Sequence, residues 1–481
     1  MLPWVQDAVF YQIFPDRFAK SSRSRAVPRL EPWESPPTPH GFKGGDLWGA
    51  AEKLDYLRDL GVTAVYLTPI FASAANHRYH TCDYLSVDPL LGGNAAFEAF
   101  LKGAHRRGMR VLLDGVFNHA GRGFFPFHHA VENGPASPYF DWFHFDRRRL
   151  KAGRRIQPYP SGRGPCGYKA WWGLPALPKL NTDHPAVRAF IFRVAEHWLE
   201  AGIDGWRLDV PNEIDDDAFW REFRRRVKAV KPEAYIVGEI WGEAGRWLKG
   251  DQFDATMNYS VTKAVLSHFC DRLDASQARR ADGYKLVEPL GLRGFASAID
   301  RVLARYPLSV NLHQLNLLGS HDTPRFLTLA GKDETALRLA AVFMFCFPGV
   351  PCVYYGDEIG MQGGRDPDCR RAFPWEPSRW NRGLLEFFKQ LISLRRSSKA
   401  LRRGSFERLW AKDGVYAFRR LLGRESAAVL LNLSRQAKPV PPALSAAAQG
   451  RVLFSDGHGA LGQHKPFKAL SLPPRSSLVL G

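Results

Sequence analysis

The sequence predicts an α/β protein whose main domain is a (β/α)8 barrel, the TIM-barrel architecture. Eight short apolar runs alternate with amphipathic, helix-like segments through most of the 481 residues. This alternation is typical of parallel strands joined by crossover helices. A doubly wound open sheet would fit it as well, but no glycine-rich nucleotide-binding sequence follows the first strand. The alternation breaks twice, which predicts an inserted subdomain after the third strand and a C-terminal antiparallel β-sandwich domain.

The predicted barrel strands are short runs rich in aliphatic, β-branched and aromatic residues. They are AVFYQIF (8–14), TAVYLTPI (63–70), RVLLDGVF (110–117), GWRLDV (205–210), AYIVGEIW (234–241), ATMNY (255–259), HQLNLLGSHD (313–322) and GVPCVYYGDE (349–358). Between them, segments such as HPAVRAFIFRVAEHWLEAG (184–202) carry apolar residues at helical spacing. We therefore assign residues 1–118 and 184–401 to the barrel.

Two regions lack this alternation. Residues 119–183 are rich in Gly, Pro and aromatic residues and are too long for a structureless loop, so we predict an inserted subdomain there. Residues 402–481 contain short alternating runs such as GVYAFRRL (414–421) and SAAVLLNLS (426–434). Such runs are typical of antiparallel strands and predict a C-terminal β-domain.

The formal net charge of +19 raises the question of an anionic partner. A nucleic-acid binder is one interpretation, but no recognition motif accompanies the charge. The densest basic runs, RRRLKAGRR (147–155) and REFRRRVKAV (221–230), are typical of a surface loop and of the solvated face of a helix. Because a charged surface by itself favours solubility, we expect no nucleic-acid partner.

The cysteines and the N-terminus indicate in which cellular compartment the protein is expected. The six cysteines are scattered without a CxxC pair, so neither a disulfide framework nor a zinc site is predicted. The N-terminus MLPWVQDAVFYQ lacks the layout of a signal peptide, and no apolar run approaches the ~20 residues of a membrane helix. We expect a cytoplasmic chain with no membrane partner; secretion with a removed signal is the alternative.

Acidic and histidine side chains gather where the predicted barrel strands end, and functional residues of such barrels lie at these ends. In chain order they are Asp114, His119, Arg207, Asp209, Glu239, His321 and Asp322. A single aspartate at a strand end often only caps the next helix. Four carboxylates on one rim, with an arginine and two histidines, indicate a catalytic site instead.

Arg207 and Asp209 are predicted side by side on the fourth strand. They are two positions apart, so they point the same way. A neighbouring guanidinium is expected to lower the pKa of the aspartate and keep it ionised, although a purely structural ion pair is the alternative. An ionised carboxylate is what a retaining glycosidase needs as its nucleophile, while a second carboxyl protonates the leaving oxygen.

Glu239 is the candidate for the second carboxyl. An acid must hold its proton, which needs a less polar setting, and Trp241 in GEIW supplies an apolar neighbour. Asp322 is a third carboxylate, suited to stabilising positive charge at the anomeric carbon. His321 and His119 are candidates for donating hydrogen bonds to sugar hydroxyls.

These stretches resemble the four signature regions of the α-amylase family of glycoside hydrolases. The four are DGVFNH (114–119), GWRLDVPNE (205–213), GEIW (238–241) and LLGSHD (317–322), in the order of the family. The similarity runs from YQIFPDRF to the C-terminal domain. With LPKLN (177–181), the chain is most similar to the neopullulanase, cyclomaltodextrinase and maltogenic amylase group.

The resemblance implies roles for individual residues. Asp209 is the nucleophile, Glu239 the acid/base and Asp322 the transition-state stabiliser. The implied substrate-binding residues are Tyr79, Asp114, His119, Arg207, Glu213, Trp241, His321, Asp366 and Arg370. Among them, Tyr79 stacks on the attacked sugar, Asp366 and Arg370 grip the next sugar towards the non-reducing end, and Glu213 and Trp241 lie near the acceptor.

The sequence departs from this group in two places. Members usually carry an extra N-terminal β-domain that builds their dimer, whereas the first barrel strand here is predicted near residue 8, so we expect a monomer with an open cleft. The calcium-binding segment of the group is replaced by AKSSRSRAVPR (19–29), with no carboxylate until Glu31, although Asp46 is kept. We expect no metal in the chemistry, and structural calcium is left open.

The predicted function is a retaining glycoside hydrolase that cleaves α-1,4-glucosidic bonds of starch and maltooligosaccharides, as α-amylases and maltogenic amylases do. The alternatives are cyclomaltodextrinase or neopullulanase activity, and 4-α-glucanotransfer through the same covalent intermediate. A non-catalytic sugar-binding protein is disfavoured because all three carboxylates are present. The expected partner is an α-glucan.

Overall fold

The computed structural model describes residues 2–23, 29–162, 164–270, 273–274, 276–277, 288–440, 451–457 and 471–481. The strands within these ranges are β1 (Phe10–Ile13), β2 (Ala64–Leu67), β3 (Phe71–Ser73), β4 (Thr81–Val87), β5 (Arg110–Gly115), β6 (Gly205–Leu208), β7 (Tyr235–Gly238), β8 (Ala255–Thr256), β9 (Leu315–Leu317), β10 (Val350–Tyr354), β11 (Ser405–Lys412), β12 (Val415–Leu422), β13 (Glu425–Asn432), β14 (Lys438–Pro439), β15 (Val452–Asp456), β16 (Ser471–Leu472) and β17 (Ser476–Leu480). The α-helices are Pro3–Asp7, Pro15–Phe18, Leu47–Glu52, Leu54–Leu60, Gly93–Arg106, Phe125–Asn133, Arg147–Lys151, Pro185–Glu200, Asp217–Val230, Tyr259–Phe269, Leu292–Ala304, Leu308–Asn311, Phe326–Leu329, Glu334–Cys346, Arg382–Ser397 and Lys399–Arg403.

Eight strands form one parallel sheet in the order β8-β7-β6-β5-β2-β1-β10-β9. A parallel bridge between Met257 and Leu315 joins its two ends, which gives a barrel. Each of the eight predicted runs contains one of these strands, so the predicted fold class is confirmed. The strands are shorter than the predicted runs because the last residues of each run leave the ladder and reach the rim of the barrel.

The helices cover the outside of this barrel with one apolar face each. In helix Asp217–Val230, Asp216 caps the start by accepting from two backbone N–H groups of the first turn. Phe219, Phe223 and Val227 recur at helical spacing and are buried. The basic residues of the predicted run 221–230 cover its other face.

The barrel interior explains why an arginine is buried on β6. Side chains of a strand alternate between its two faces, and Leu112 of β5 is part of the apolar cluster inside the barrel. Asp114, two residues further along β5, lies in register with Arg207 of β6. Both therefore point inwards, in a layer above the apolar one and nearer the C-terminal ends of the strands.

The segment predicted as an inserted subdomain follows β5 and packs around aromatic side chains. Phe127, Phe143 and Tyr168 are buried in one cluster. Antiparallel bridges bring the end of the segment back to its start, where Lys179 pairs with His119, and to its middle, where Leu180 pairs with Phe143. This return of the chain holds its last residues against the rim of the barrel.

The C-terminal part is a five-stranded antiparallel sheet, in the order β11-β12-β13-β17-β15, with a two-stranded sheet of β14 and β16. Leu472 of the small sheet and Leu430 of the large one belong to the same buried cluster. All six cysteines are free thiols. No helix in the described ranges has the length and apolar character needed to cross a bilayer.

Candidate active site

Arg207 lies at the centre of the candidate site and is fully buried. Its Nη1 donates to Asp114 Oδ1 at 2.8 Å and to Asp209 Oδ1 at 3.0 Å. Its Nη2 lies 2.9 Å from Glu239 Oε2. Strands β5, β6 and β7 are neighbours in the barrel, which is why their C-terminal ends bring three carboxylates to one guanidinium.

The charge balance of this cluster differs from the sequence prediction. Arg207 favours the ionised form of Asp209, as predicted, but burial and the nearby carboxylates outweigh it, so the pKa of Asp209 is raised. Burial likewise raises the pKa of Asp114, and it raises that of Glu239 to about 7. The contribution of Arg207 is thus as predicted, but the net shift is upward, because burial and the neighbouring carboxylates outweigh one shared cation.

The two oxygens of Glu239 are held by its neighbours. The backbone N–H of Val210 donates to Oε2 at 3.1 Å, and the indole N–H of Trp241 donates to Oε1 at 3.2 Å. Val210 has φ 36° and ψ 51°, a left-handed conformation that is strained for a β-branched residue and that clusters at functional sites. Trp241 is itself fixed by stacking on Tyr259, with ring centroids 3.6 Å apart.

Asp209 keeps one oxygen available. Its Oδ1 accepts from Arg207, whereas no described residue donates to Oδ2, which is buried. A buried carboxylate oxygen without a donor is costly unless a ligand contacts it, and it is the atom that a nucleophile must present.

Asp322 sits further out than the other carboxylates, with its side chain 31% exposed. Its Oδ2 is 3.1 Å from Nε2 of His321 and its Oδ1 is 3.2 Å from Nη2 of Arg370. Arg370 also pairs through Nη1 with Asp366 Oδ1 at 3.0 Å. The structure therefore joins the predicted pair Asp366 and Arg370 to the third carboxylate.

A chain of hydrogen bonds fixes His321. Gln12 Nε2 donates to His321 Nδ1 at 2.7 Å, so Nε2 carries the proton and faces the Tyr79 hydroxyl at 2.5 Å. That hydroxyl donates in turn to Asp114 Oδ2 at 3.0 Å. The rings of Tyr79 and His321 are stacked, with an interplanar angle of 6°. Burial holds the pKa of His321 well below its usual range, so the ring is neutral.

His119 is the other predicted histidine. It is fully buried, and its Nε2 has no partner among the described residues. Burial lowers its pKa to about 3, so this ring is neutral as well. Its face stacks on Trp171, with ring centroids 5.0 Å apart. A neutral imidazole nitrogen without a partner can bind a substrate hydroxyl.

Glu213 lies apart from this cluster. Its side chain is exposed at the rim. Its backbone carbonyl accepts from Lys179 Nζ at 2.8 Å, and its backbone N–H donates to the carbonyl of Val210 at 3.0 Å. Lys179 also donates to Asn118 Oδ1 at 2.5 Å, so it links the end of β5, the inserted segment and the turn after β6. Glu213 therefore belongs to the rim rather than to the group of side chains around Arg207.

Sequence reasoning missed several contributors: Gln12, Tyr66, Trp171, Lys179 and Tyr259. Tyr66 donates to Asp114 Oδ2 at 2.7 Å and faces the interior from β2. The signal for Tyr66 and Gln12 is a polar atom on an inward position near the end of a barrel strand. Tyr259 carries the same signal, as the last residue of the predicted run ATMNY (255–259) and a member of the cluster inside the barrel. Trp171 carries no such signal, because it reaches the site from the inserted segment.

In the region that could hold calcium, the described polar side chains bind other parts of the chain. Asp46 accepts from the backbone N–H of Gly49 at 2.6 Å as a helix cap and from Ser21 Oγ at 2.8 Å. The Lys43 ammonium donates to the carbonyls of Pro32 and Ser35, each at 2.7 Å. Residues 24–28 of the replaced segment lie outside the described residues. Elsewhere in the described chain, no three His, Cys, Asp or Glu side chains are grouped as a metal site.

Comparisons with known proteins bear on the family of the chain. The family described as "Alpha amylase, catalytic domain" matches residues 12–404, and a domain of unknown function (DUF3459) matches residues 402–479. A cyclomaltodextrinase from Geobacillus thermopakistaniensis (strain MAS1) is 44% identical over 475 residues, which are 98% of this chain and 76% of that protein.

Two crystal structures resemble the whole chain. Ttha1563 from Thermus thermophilus has a TM-score of 0.91 and 48% identity, over 99% of each chain. The debranching enzyme from Nostoc punctiforme, soaked with acarbose, has a TM-score of 0.88 and 45% identity, over 99% of this chain and 98% of its own.

The barrel and its carboxylate rim define the class of protein, a glycoside hydrolase on a (β/α)8 scaffold. The resemblance seen in the sequence is confirmed: the chain belongs to the α-amylase family.

Proposed function

We propose that the protein is a retaining hydrolase of α-1,4-glucosidic bonds in starch and maltooligosaccharides. The observation that supports this most is the shared guanidinium of Arg207, which lies 3.0 Å from Asp209 and 2.9 Å from Glu239. A retaining mechanism needs two carboxyl groups close together on one sugar, one ionised and one protonated.

The charges of the cluster support an assignment of roles. Glu239, with a pKa of about 7, holds a proton that it can donate to the leaving oxygen. When Glu239 is protonated, its negative charge no longer opposes the ionisation of Asp209. Arg207 still favours the ionised form of Asp209. Asp209 Oδ2 then attacks the anomeric carbon and forms a covalent glycosyl intermediate. Glu239, now a carboxylate, activates the water that releases the sugar.

The residues around this pair would bind the attacked sugar. His119 Nε2, which has no partner among the described residues, can bind a sugar hydroxyl, and Tyr79 can stack on the sugar ring. Asp322 carries negative charge towards the developing oxocarbenium ion. Arg370 forms ion pairs with both Asp322 and Asp366. The guanidinium of Arg370 and the carboxylate of Asp366 would form hydrogen bonds with the next sugar unit.

The proposed substrate class, α-glucans, is supported by the names of the relatives. One is named a cyclomaltodextrinase and another a debranching enzyme studied with acarbose, so both names concern α-glucans or their analogues. The cyclomaltodextrinase relative favours a second candidate, hydrolysis of cyclodextrins. Transfer to a second sugar in place of water is the third, and the exposed rim near Glu213 and Trp241 is where an acceptor would bind.

The experiment is a chromatographic time course of products from soluble starch, with β-cyclodextrin in parallel and the Asp209→Asn variant as the blank. We expect maltooligosaccharides from starch at a higher rate than ring opening of cyclodextrin. Faster cleavage of the ring would favour the cyclomaltodextrinase candidate. In a third incubation, with maltotriose as the substrate, products longer than maltotriose would favour transfer.

A further inference from the structure

The inserted segment carries the exposed aromatic side chains of the described chain. Three aromatic residues stand out as largely exposed, Phe125, Tyr159 and Trp172, and all lie within residues 119–183. Trp172 is 67% exposed, which is unusual for the largest apolar side chain. An exposed aromatic face in a carbohydrate-active enzyme can stack on the apolar face of a sugar ring.

Trp172 is continuous with the candidate active site. Its ring stacks on Trp171, with centroids 4.5 Å apart and an interplanar angle of 14°. Trp171 stacks in turn on His119, with centroids 5.0 Å apart and an angle of 8°. The three rings form a column that begins at a buried histidine of the site and ends in solvent. Tyr159, by contrast, stacks on Arg122 alone among the described residues.

The backbone of Trp172 is strained in a way that fixes this column. The residue has φ 51° and ψ 20°, in the left-handed region that side chains other than glycine rarely adopt. Gly173 follows it with φ +68° and open space around its Cβ direction. A strained conformation at a solvent-exposed tryptophan, held beside a catalytic cleft, points to a function rather than to packing.

We propose that the exposed face of Trp172 is a sugar-binding platform, on which a glucose unit of the α-glucan bound in the active site stacks. The inference rests on the proposed function. The column places the platform next to the sugar position lined by His119 and on the same rim. Because stacking adds binding for a distant unit without touching the reacting atoms, it should favour longer chains over short ones.

The test compares Trp172→Ala, Trp172→Phe and Tyr159→Ala with the wild type. Substrates are maltoheptaose, which reaches beyond the reacting sugar, and α-glucosyl fluoride, which fills only the attacked position. For Trp172→Ala we expect KM for maltoheptaose to rise about three- to ten-fold with kcat nearly unchanged. The fluoride kinetics should be unchanged. Trp172→Phe should restore most of the affinity, and Tyr159→Ala should match the wild type.

Two results would overturn the platform: equal losses on both substrates, which indicate a damaged site, or no change on either. A wild-type enzyme that leaves maltoheptaose intact would contradict the proposed function instead. In that case, calorimetric titration of maltoheptaose into the wild type and into Trp172→Ala tests whether Trp172 binds the sugar. Weaker binding by the variant supports it, and equal or absent binding by both proteins overturns it.

Discussion

Arg207 illustrates how a single residue determines the state of this site. Its guanidinium is fully buried inside the barrel, and three carboxylates surround it. Burial raises the pKa of each carboxyl, while the arginine supplies one positive charge to be shared. The cluster therefore retains protons at pH values where isolated carboxylates have lost them, and Glu239 is placed to use one.

At the residue scale, Glu239→Gln should lower kcat/KM on maltoheptaose by about 10³-fold, within the range that acid–base catalysis contributes. Glutamine keeps the size of the side chain but cannot donate the proton to a sugar oxygen. Formation of the covalent intermediate from α-glucosyl fluoride should be far less affected, because fluoride leaves without protonation. Steady-state and pre-steady-state rates test this.

The matched control for that variant is Glu233→Gln, since Glu233 is exposed and pairs with Arg110 away from the site. Its rates should equal those of the wild type. Near-normal cleavage of maltoheptaose by Glu239→Gln would contradict the assignment of the acid.

The raised pKa of Glu239 also predicts the pH dependence of the rate. A carboxyl with a pKa of about 7 is protonated below that pH and loses its proton above it. Because the proton is needed for the leaving group, kcat/KM on maltoheptaose should fall as the pH rises through about 7. Rates measured across the pH range test this, and a rate that keeps rising into alkaline solution would contradict it.

At the scale of elements, the parallel strands could be predicted because strands buried on both faces give continuous apolar runs. The same logic located Asp114, Arg207 and Glu239 at strand ends. It could not relate Trp171 or Lys179 to the site, because both lie in the aperiodic segment whose path depends on tertiary packing. The sequence also could not predict whether the pKa of Asp209 is raised or lowered overall, because this depends on burial and on how many carboxylates share one cation.

Asp204 ties several elements together on the opposite face of the barrel. It precedes β6 and is almost fully buried. Its carboxylate accepts from the backbone N–H of Val111 at 2.9 Å, from Lys231 Nζ at 2.7 Å and from Arg110 Nη1 at 2.9 Å. These partners belong to β5 and to the turn after helix Asp217–Val230. Together with a hydrogen bond between His105 Nε2 and Asp204 Oδ2 at 2.8 Å, they hold the pKa of Asp204 well below its usual range, against the effect of burial.

Asp204→Asn should therefore lower the free energy of unfolding by about 3 kcal/mol, the cost of breaking a buried charge pair. Since the folded pKa is depressed, this stabilisation is present above the unfolded pKa and is lost as the pH falls through the folded one. Urea unfolding at neutral and acidic pH tests both points. Asp55→Asn, at an exposed pair with Arg107, is the control and should unfold like the wild type.

At the scale of the whole molecule, the net charge is +19. In the basic run 221–230, however, several of the arginines are paired with carboxylates. On helix Asp217–Val230, Arg225 and Arg226 contact Glu222 at 2.7 Å, and Arg224 contacts Asp254 at 2.8 Å. These pairs agree with the expected solvated helix face, and the expectation of no nucleic-acid partner stays a prediction.

Calcium dependence is a further property of the whole molecule. Because Asp46 accepts hydrogen bonds from backbone and serine donors, we expect a chelator to leave both melting temperature and starch hydrolysis unchanged. Thermal unfolding with EDTA and with added calcium, followed by activity assays, tests this. A drop in melting temperature that calcium reverses would reveal a site that the described residues do not display.

The central claim is that Asp209 and Glu239 act together on one glycosidic bond with retention. The most direct test is proton NMR of the products in the first minutes of maltoheptaose hydrolysis, before the free sugar equilibrates. We predict that the new reducing end appears as the α-anomer in the wild type and that Asp209→Asn forms none. Initial appearance of the β-anomer, or unchanged turnover by Asp209→Asn, would contradict the account.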